Sequence, residues 1–246
     1  MVGGLLLLTY NGEDVFRPDG QQPDAVSANY AELLLKAHPE DASLRQELIR
    51  LLIDLGDYAR ADQYLQDWEK PDALLAGYYQ LEIDALSARQ EGDDERLRLV
   101  REQMLAFDRQ YLPLNMLKRL SVHALALELP QLAADVYLQI AELEQEQREQ
   151  HLQQAARWYL ASNQPAKAAD IFQELMRTTQ VTEQRPLYVQ QAYAALVAAG
   201  LGDQASQLAV DELDSMQFET LDPQWLEQSV QVAMGSYRFD LGQRIV

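Results

Sequence analysis

The stretch WYLASNQPAKAADIFQEL, Trp158 to Leu175, holds one apolar run, a small polar break, and a second apolar run in a different phase. Ala155, Ala156 and Tyr159 share one face of the first run, Asn163 sits at the break, and Ala168, Phe172 and Leu175 follow it at offsets of five, nine and twelve. Spacings of three and four are the period of an amphipathic helix. Asparagine tolerates the left-handed conformation that ends a helix. Alanines on both sides of the break, Ala156 and Ala168, let two antiparallel helices cross closely. The stretch therefore predicts two helices joined by a tight turn.

The same pattern stands in LRQELIRLLIDLGDYARADQYLQDW, Leu44 to Trp68. Leu44, Leu48, Leu51, Leu52 and Leu55 make one face, Gly56 ends it, and Ala61, Leu65 and Trp68 follow at the same three offsets. Breaks of this kind fall at Gly56, Gly92, Leu129, Asn163, Gly200 and Gly235, at spacings of 36, 37, 34, 37 and 35 residues. The third unit keeps Ala134, Leu138 and Ala141 with one residue fewer in its turn, and the fifth keeps Ala205 and Ala209. The second is weakest, with Leu97 and Arg101 after Gly92. Almost no strand-like alternation occurs, so the pattern predicts an all-α stack of about five to six helix pairs over residues 24–246. The period resembles the tetratricopeptide repeat, at about 34 residues per unit. That resemblance implies a right-handed superhelical solenoid.

Residues 1–23 read differently. MVGGLLLL is too short for a spanning helix, which needs about 20 apolar residues, and lacks the basic start of a signal peptide. Two readings stand: a start that packs on the domain, or the outer end of a membrane helix. TYNGEDVFRPDGQQPD then reads as a flexible linker, which favours the anchor. SANYAELLLKAHPED reads as the second helix of an incomplete unit closing at Pro39. At the other end, apolar Leu241, Ile245 and Val246 are expected to be exposed in an array that continues.

Composition removes several function classes. The 246-residue chain has no cysteine, hence no disulfide, thiolate nucleophile or Cys-based metal site. With 20 Lys+Arg against 39 Asp+Glu, its net charge of -19 opposes nucleic acid. Acidity of this size serves solubility or draws a basic protein or cationic polymer. His38, His123 and His151 lie in different units without metal-motif spacing, and EGDDE from Glu91 and ELEQEQREQ from Glu142 read as solvated helix ends and faces. Tyr78, Tyr79, Tyr159 and Tyr193 read as packing residues. The sequence predicts no enzyme, no metal and no cofactor.

What is left is recognition of a partner. In stacked helix pairs the first helices line the concave surface. By helical phase the inward polar positions are Gln46, Arg50, Tyr79, Glu82, Gln153, Arg157 and Gln190. Gln46 and Arg50 depart from the Lys and Asn with which peptide-clamping tetratricopeptide domains hold a terminal carboxylate. A solenoid surface carrying much of the -19 charge is expected to attract a basic partner, with affinity falling as salt rises.

The segments QQAARWYLASNQPAKAADIFQEL, YVQQAYAALVAAGLGDQASQLAVDEL and DPQWLEQSVQVAMGSYRFDLGQRI resemble the periplasmic repeat region of Pel-type exopolysaccharide export proteins. The resemblance implies a scaffold of the bacterial envelope, in the periplasm and tied to the inner or outer membrane. It would recruit polymer-modifying enzymes or guide a cationic polysaccharide. The alternatives are a cytoplasmic adaptor that binds a peptide and a direct polysaccharide-binding module.

Overall fold

A computed structural model describes residues 25–215, 223–236 and 238–245. Among the described residues every regular element is helical. The chain is an all-α helical repeat protein that divides into two compact units, meeting in sequence at Leu112 and Pro113.

The described part of the first unit runs α1 (Ala25–Ala37), α2 (Ala42–Asp54), α3 (Tyr58–Gln66), α4 (Ala73–Glu91) and α5 (Asp94–Ala106). Each helix packs on the next. Four of these helices start on an aspartate: Asp41, Asp57, Asp72 and Asp93 accept backbone N–H groups of the first turn at 2.9–3.3 Å. A cap of this kind stabilises a helix by about 1 kcal/mol. Leu44, Leu48, Leu51 and Leu52 are buried as their spacing predicts, but Leu55 is at the surface. It is the C-cap residue, next to the turn at Gly56. The length of α4, 19 residues, exceeds what a repeat pair requires.

The second unit runs α6 (Leu114–Ala126), α7 (Pro130–Leu143), a 3-10 turn at Gln145–Gln147, α8 (Arg148–Ala161), α9 (Pro165–Thr178), α10 (Arg185–Ala198), α11 (Gly202–Ser215), α12 (Pro223–Gly235) and α13 (Phe239–Ile245). Here proline at the first helical positions replaces the aspartate cap in α7, α9 and α10, its fixed φ already helical. Ala155, Ala156, Ala168 and Ala169 are sealed in one continuous core with Tyr159, Phe172, Leu175 and Leu196. Arg185 on α10 grips the buried Glu212 of α11 through two hydrogen bonds of 2.6 and 2.8 Å. The fork geometry satisfies both carboxylate oxygens, as a buried ion pair requires.

One backbone bond defines the repeat. At the end of each first helix an N–H reaches back five residues: Asp57 to Leu52, Asp93 to Ala88, Leu129 to Ala124, Gln164 to Tyr159, Leu201 to Leu196 and Arg238 to Ala233, at 2.8–2.9 Å. This is the Schellman closure, and its acceptors, all buried, recur every 35–37 residues. Gly56, Gly92, Asn163 and Gly200 adopt the left-handed conformation inside it. The third turn differs from the sequence reading: the left-handed residue is Glu128, φ 60°, not Leu129. That turn is therefore of ordinary length, and Ala133 and Ile140, both buried, take the places assigned to Ala134 and Ala141. The last turn also shifts. Gly235 belongs to α12 without a left-handed φ, and the closure there runs through Arg238.

Leu241 is buried against α12, which corrects the expectation of an exposed apolar end; the side chains of Ile245 and Val246, and residues 1–24, lie outside the described residues.

Candidate functional site

In the second unit the first helices α6, α8, α10 and α12 are neighbours through their side chains. Glu144, capping α7, receives Lys118 of α6 at 2.6 Å and contacts His151 of α8 at 2.9 Å. The Lys118 ammonium holds the Glu144 carboxyl below its ordinary value, with burial opposing and His151 assisting. Tyr137 of α7 stacks on the His151 ring. Between α8 and α10, the Tyr188 hydroxyl donates to Glu149 at 2.6 Å and accepts from the Gln153 amide, while Thr179 donates to the same carboxylate. Burial and then the bond to Glu149 push the Tyr188 phenol up to about 12. Between α10 and α12, Ser229 hydrogen-bonds the buried Tyr193.

These contacts fix one side of each first helix inward and leave the other to solvent. Counted from the acceptor of the closing bond, the residues two before it are exposed on all four helices and those one after it on α8, α10 and α12, whereas those six and five before it are exposed at Lys118, Gln190, Glu227 and Gln228 and half-buried at Arg119, Gln153, Gln154 and Gln191. Six and five before come Gln153 and Gln154 on α8, Gln190 and Gln191 on α10, and Glu227 and Gln228 on α12. One after come Leu160, Val197 and Met234, all exposed, at 43%, 39% and 49%. Two before come Val122, Arg157, Ala194 and Gln231, all exposed. The same chemistry thus returns at the same depth on successive helices: an amide row and an apolar row.

Charge is distributed unevenly over this unit. Among those sixteen positions Glu227 is the single carboxylate, against Lys118, Arg119 and Arg157. Exposed carboxylates stand instead on second helices and turns, at Glu128, Glu142, Glu146, Asp170, Asp203 and Asp211. The net charge of -19 is a whole-chain figure, and the first-helix face of the second unit does not share it.

The seven residues singled out from the sequence separate into two groups. Arg157 and Gln190 are exposed, and Gln46, Arg50 and Gln153 are half-buried. Arg50 is occupied by ion pairs to Glu47 and Asp54 on its own helix. Tyr79 and Glu82 line no surface: they are 1% and 0% exposed on α4. At its start α4 also buries Tyr78, against which Phe107 packs, and Phe107 closes over Gly77 as well. Tyr78, Tyr79, Tyr159 and Tyr193 are all buried. Leu160, Val197 and Met234 were not singled out, although their equal offsets from the turns were readable. Among the described residues no group of three His, Asp or Glu is placed to hold a metal, and no helix is long and apolar enough to cross a membrane.

No family model and no curated protein matches the chain. Among solved structures it is similar to a circular tandem repeat protein described as having a novel repeat topology and enhanced subunit contact surfaces, at 15% identity and a TM-score of 0.30. The match covers 89% of this chain and 54% of that one, so the chain spans about half its length.

Proposed function

We propose that the chain is a non-catalytic protein-interaction scaffold whose first-helix face in the second unit receives the partner. The observation that carries this reading is the return of amide and apolar side chains at fixed register on α8, α10 and α12. Packing in the core does not require its exposed members, Gln190, Gln228, Leu160, Val197 and Met234, whereas Gln153 is held by the buried Tyr188. Repeated, equally spaced contacts on a rigid stack are what an elongated partner reads.

The finer setting we propose is the bacterial envelope, in the periplasm, with recruitment of enzymes that modify or export an exopolysaccharide. Its support is the resemblance of residues 153–175, 188–213 and 222–245 to the Pel-type repeat region. The segregated carboxylates, Glu142, Asp170 and Asp211 among them, favour a second reading in which the second-helix side meets a cationic polysaccharide.

A photo-crosslinking amino acid placed at Val197, and separately at Asp170, tests both in the cells that make the protein. The scaffold reading expects a discrete protein adduct from Val197, recovered in the envelope fraction and identified by mass spectrometry. Adducts from Asp170 alone overturn the face assignment. Adducts confined to the cytosolic fraction overturn the envelope setting.

A further inference from the structure

The second helix α9 exposes no large apolar side chain along its length, but α5, in the first unit, does. It packs on α4 and buries Val100 and Met104, yet Leu99 and Leu105 are exposed at 47% and 49%. At about 100° per residue these leucines stand about 60° to either side of Glu102, with Glu95 two turns before it in nearly the same line. Between Glu91 and Asp108 six carboxylates stand against three arginines. Arg98, on the outer face, is already shared by Glu95 at 2.8 Å and Glu102 at 3.0 Å. Beyond the C-terminal end of α5, Tyr111 is exposed at 77%. Its turn is held on both sides: Phe107 packs on Tyr78, Leu112 is buried, and the Asp108 carboxylate accepts the Gln110 N–H at 3.1 Å. A ring on a turn fixed in this way loses little freedom on binding.

We infer that the outer face of α5, with Tyr111 at its end, is a docking surface for a basic amphipathic helix of a protein partner. The partner's apolar side chains seat over Leu99 and Leu105, its Lys and Arg groups meet Asp94, Glu95 and Glu102, and the Tyr111 ring receives a further cation. The surface belongs to the first unit and is separate from the first-helix face of the second. Charge complementarity selects this occupant. An acidic partner is repelled by the carboxylates, and a neutral helix would desolvate them without pairing them. A cationic polymer without apolar groups would pair the carboxylates but leave both leucines in water.

The test uses the purified full chain and two fluorescein-labelled peptides about 18 residues long and equal in charge, one with leucines and lysines at helical spacing and one with serine in place of leucine. Fluorescence anisotropy is expected to show the leucine peptide binding at least about tenfold more tightly. Its affinity is expected to fall at least about tenfold between about 0.1 and 1 M salt, and its hydrogen-exchange footprint to cover residues 94–112. Leu99→Gln combined with Leu105→Gln, with an unchanged circular dichroism spectrum, is expected to weaken binding at least about tenfold, and Tyr111→Ala about threefold. Leu33→Gln on α1, an exposed leucine outside this surface, is expected to leave it unchanged. Equal affinity for the two peptides, affinity indifferent to the leucine pair, or a footprint elsewhere overturns the proposal. So does a dimer of the chain alone, in sedimentation, that the leucine pair disperses, because a second copy then occupies the face. The crosslink from Val197 reports on the other unit, so the scaffold reading stands or falls separately.

Discussion

The Tyr159 hydroxyl on α8 donates to the Asp135 carboxylate on α7 at 2.5 Å, so a charge that looks like surface decoration ties two helices together. Lys167 lies over the same ring, 4.8 Å from its centre. Asp135→Lys is expected to cost about 1–3 kcal/mol, since a buried phenol loses a charged acceptor. Asp170→Lys, one unit further along at an exposed position, is expected to stay within about 0.5 kcal/mol. Urea denaturation of both variants measures the contrast, and equal midpoints would show that the bond contributes nothing.

Glu128 holds a left-handed φ of 60° that costs an ordinary residue roughly 1–2 kcal/mol. Glu128→Gly removes that strain and adds some unfolded-state entropy. A net gain of about 0.5–1 kcal/mol is expected, read as a rise in thermal midpoint. Loss of stability would mean that the glutamate side chain outweighs its backbone.

Ala168 is fully buried at the crossing of α8 and α9. Ala168→Leu must overpack that crossing, at about 1–3 kcal/mol. A thermal midpoint unchanged within error would contradict the repeat register.

Tyr188 supplies a pH dependence. Its folded-state value, about 12, lies above the ordinary 10, so the neutral phenol is the form that folding favours. The resulting stability is complete below pH 10 and is lost as pH rises toward 12. Thermal melts between pH 9 and 12 are expected to fall more steeply for the native chain than for Tyr188→Phe. Parallel slopes for the two proteins would remove Tyr188 as the cause.

Much of this architecture was legible because turns at a left-handed φ select glycine or asparagine. Gly56, Gly92, Asn163 and Gly200 therefore announced themselves. Glu128 did not, since a glutamate forced into that conformation leaves no trace in composition. Helical phase likewise assigned Tyr79 and Glu82 to a surface, and it fails where a helix is packed on more than one side, as α4 is. Phe107, which closes on α4 next to them, lies outside the repeat pattern. The amide and apolar rows were present in the letters as Gln-Gln pairs and equally spaced aliphatics. Their meaning depended on which offset pointed outward, and the closing bonds fixed that. The net charge said least about the site, because a sum over the chain carries no information about which side of a helix holds it.

That segregation gives the second unit a lateral electric asymmetry, its first-helix side close to neutral and its exposed carboxylates gathered on the second helices and turns. Brought within a Debye length of any anionic surface, about 10 Å at 0.1 M salt, the unit experiences a torque as well as a repulsion. It turns its glutamine and aliphatic side toward the surface and its carboxylates away.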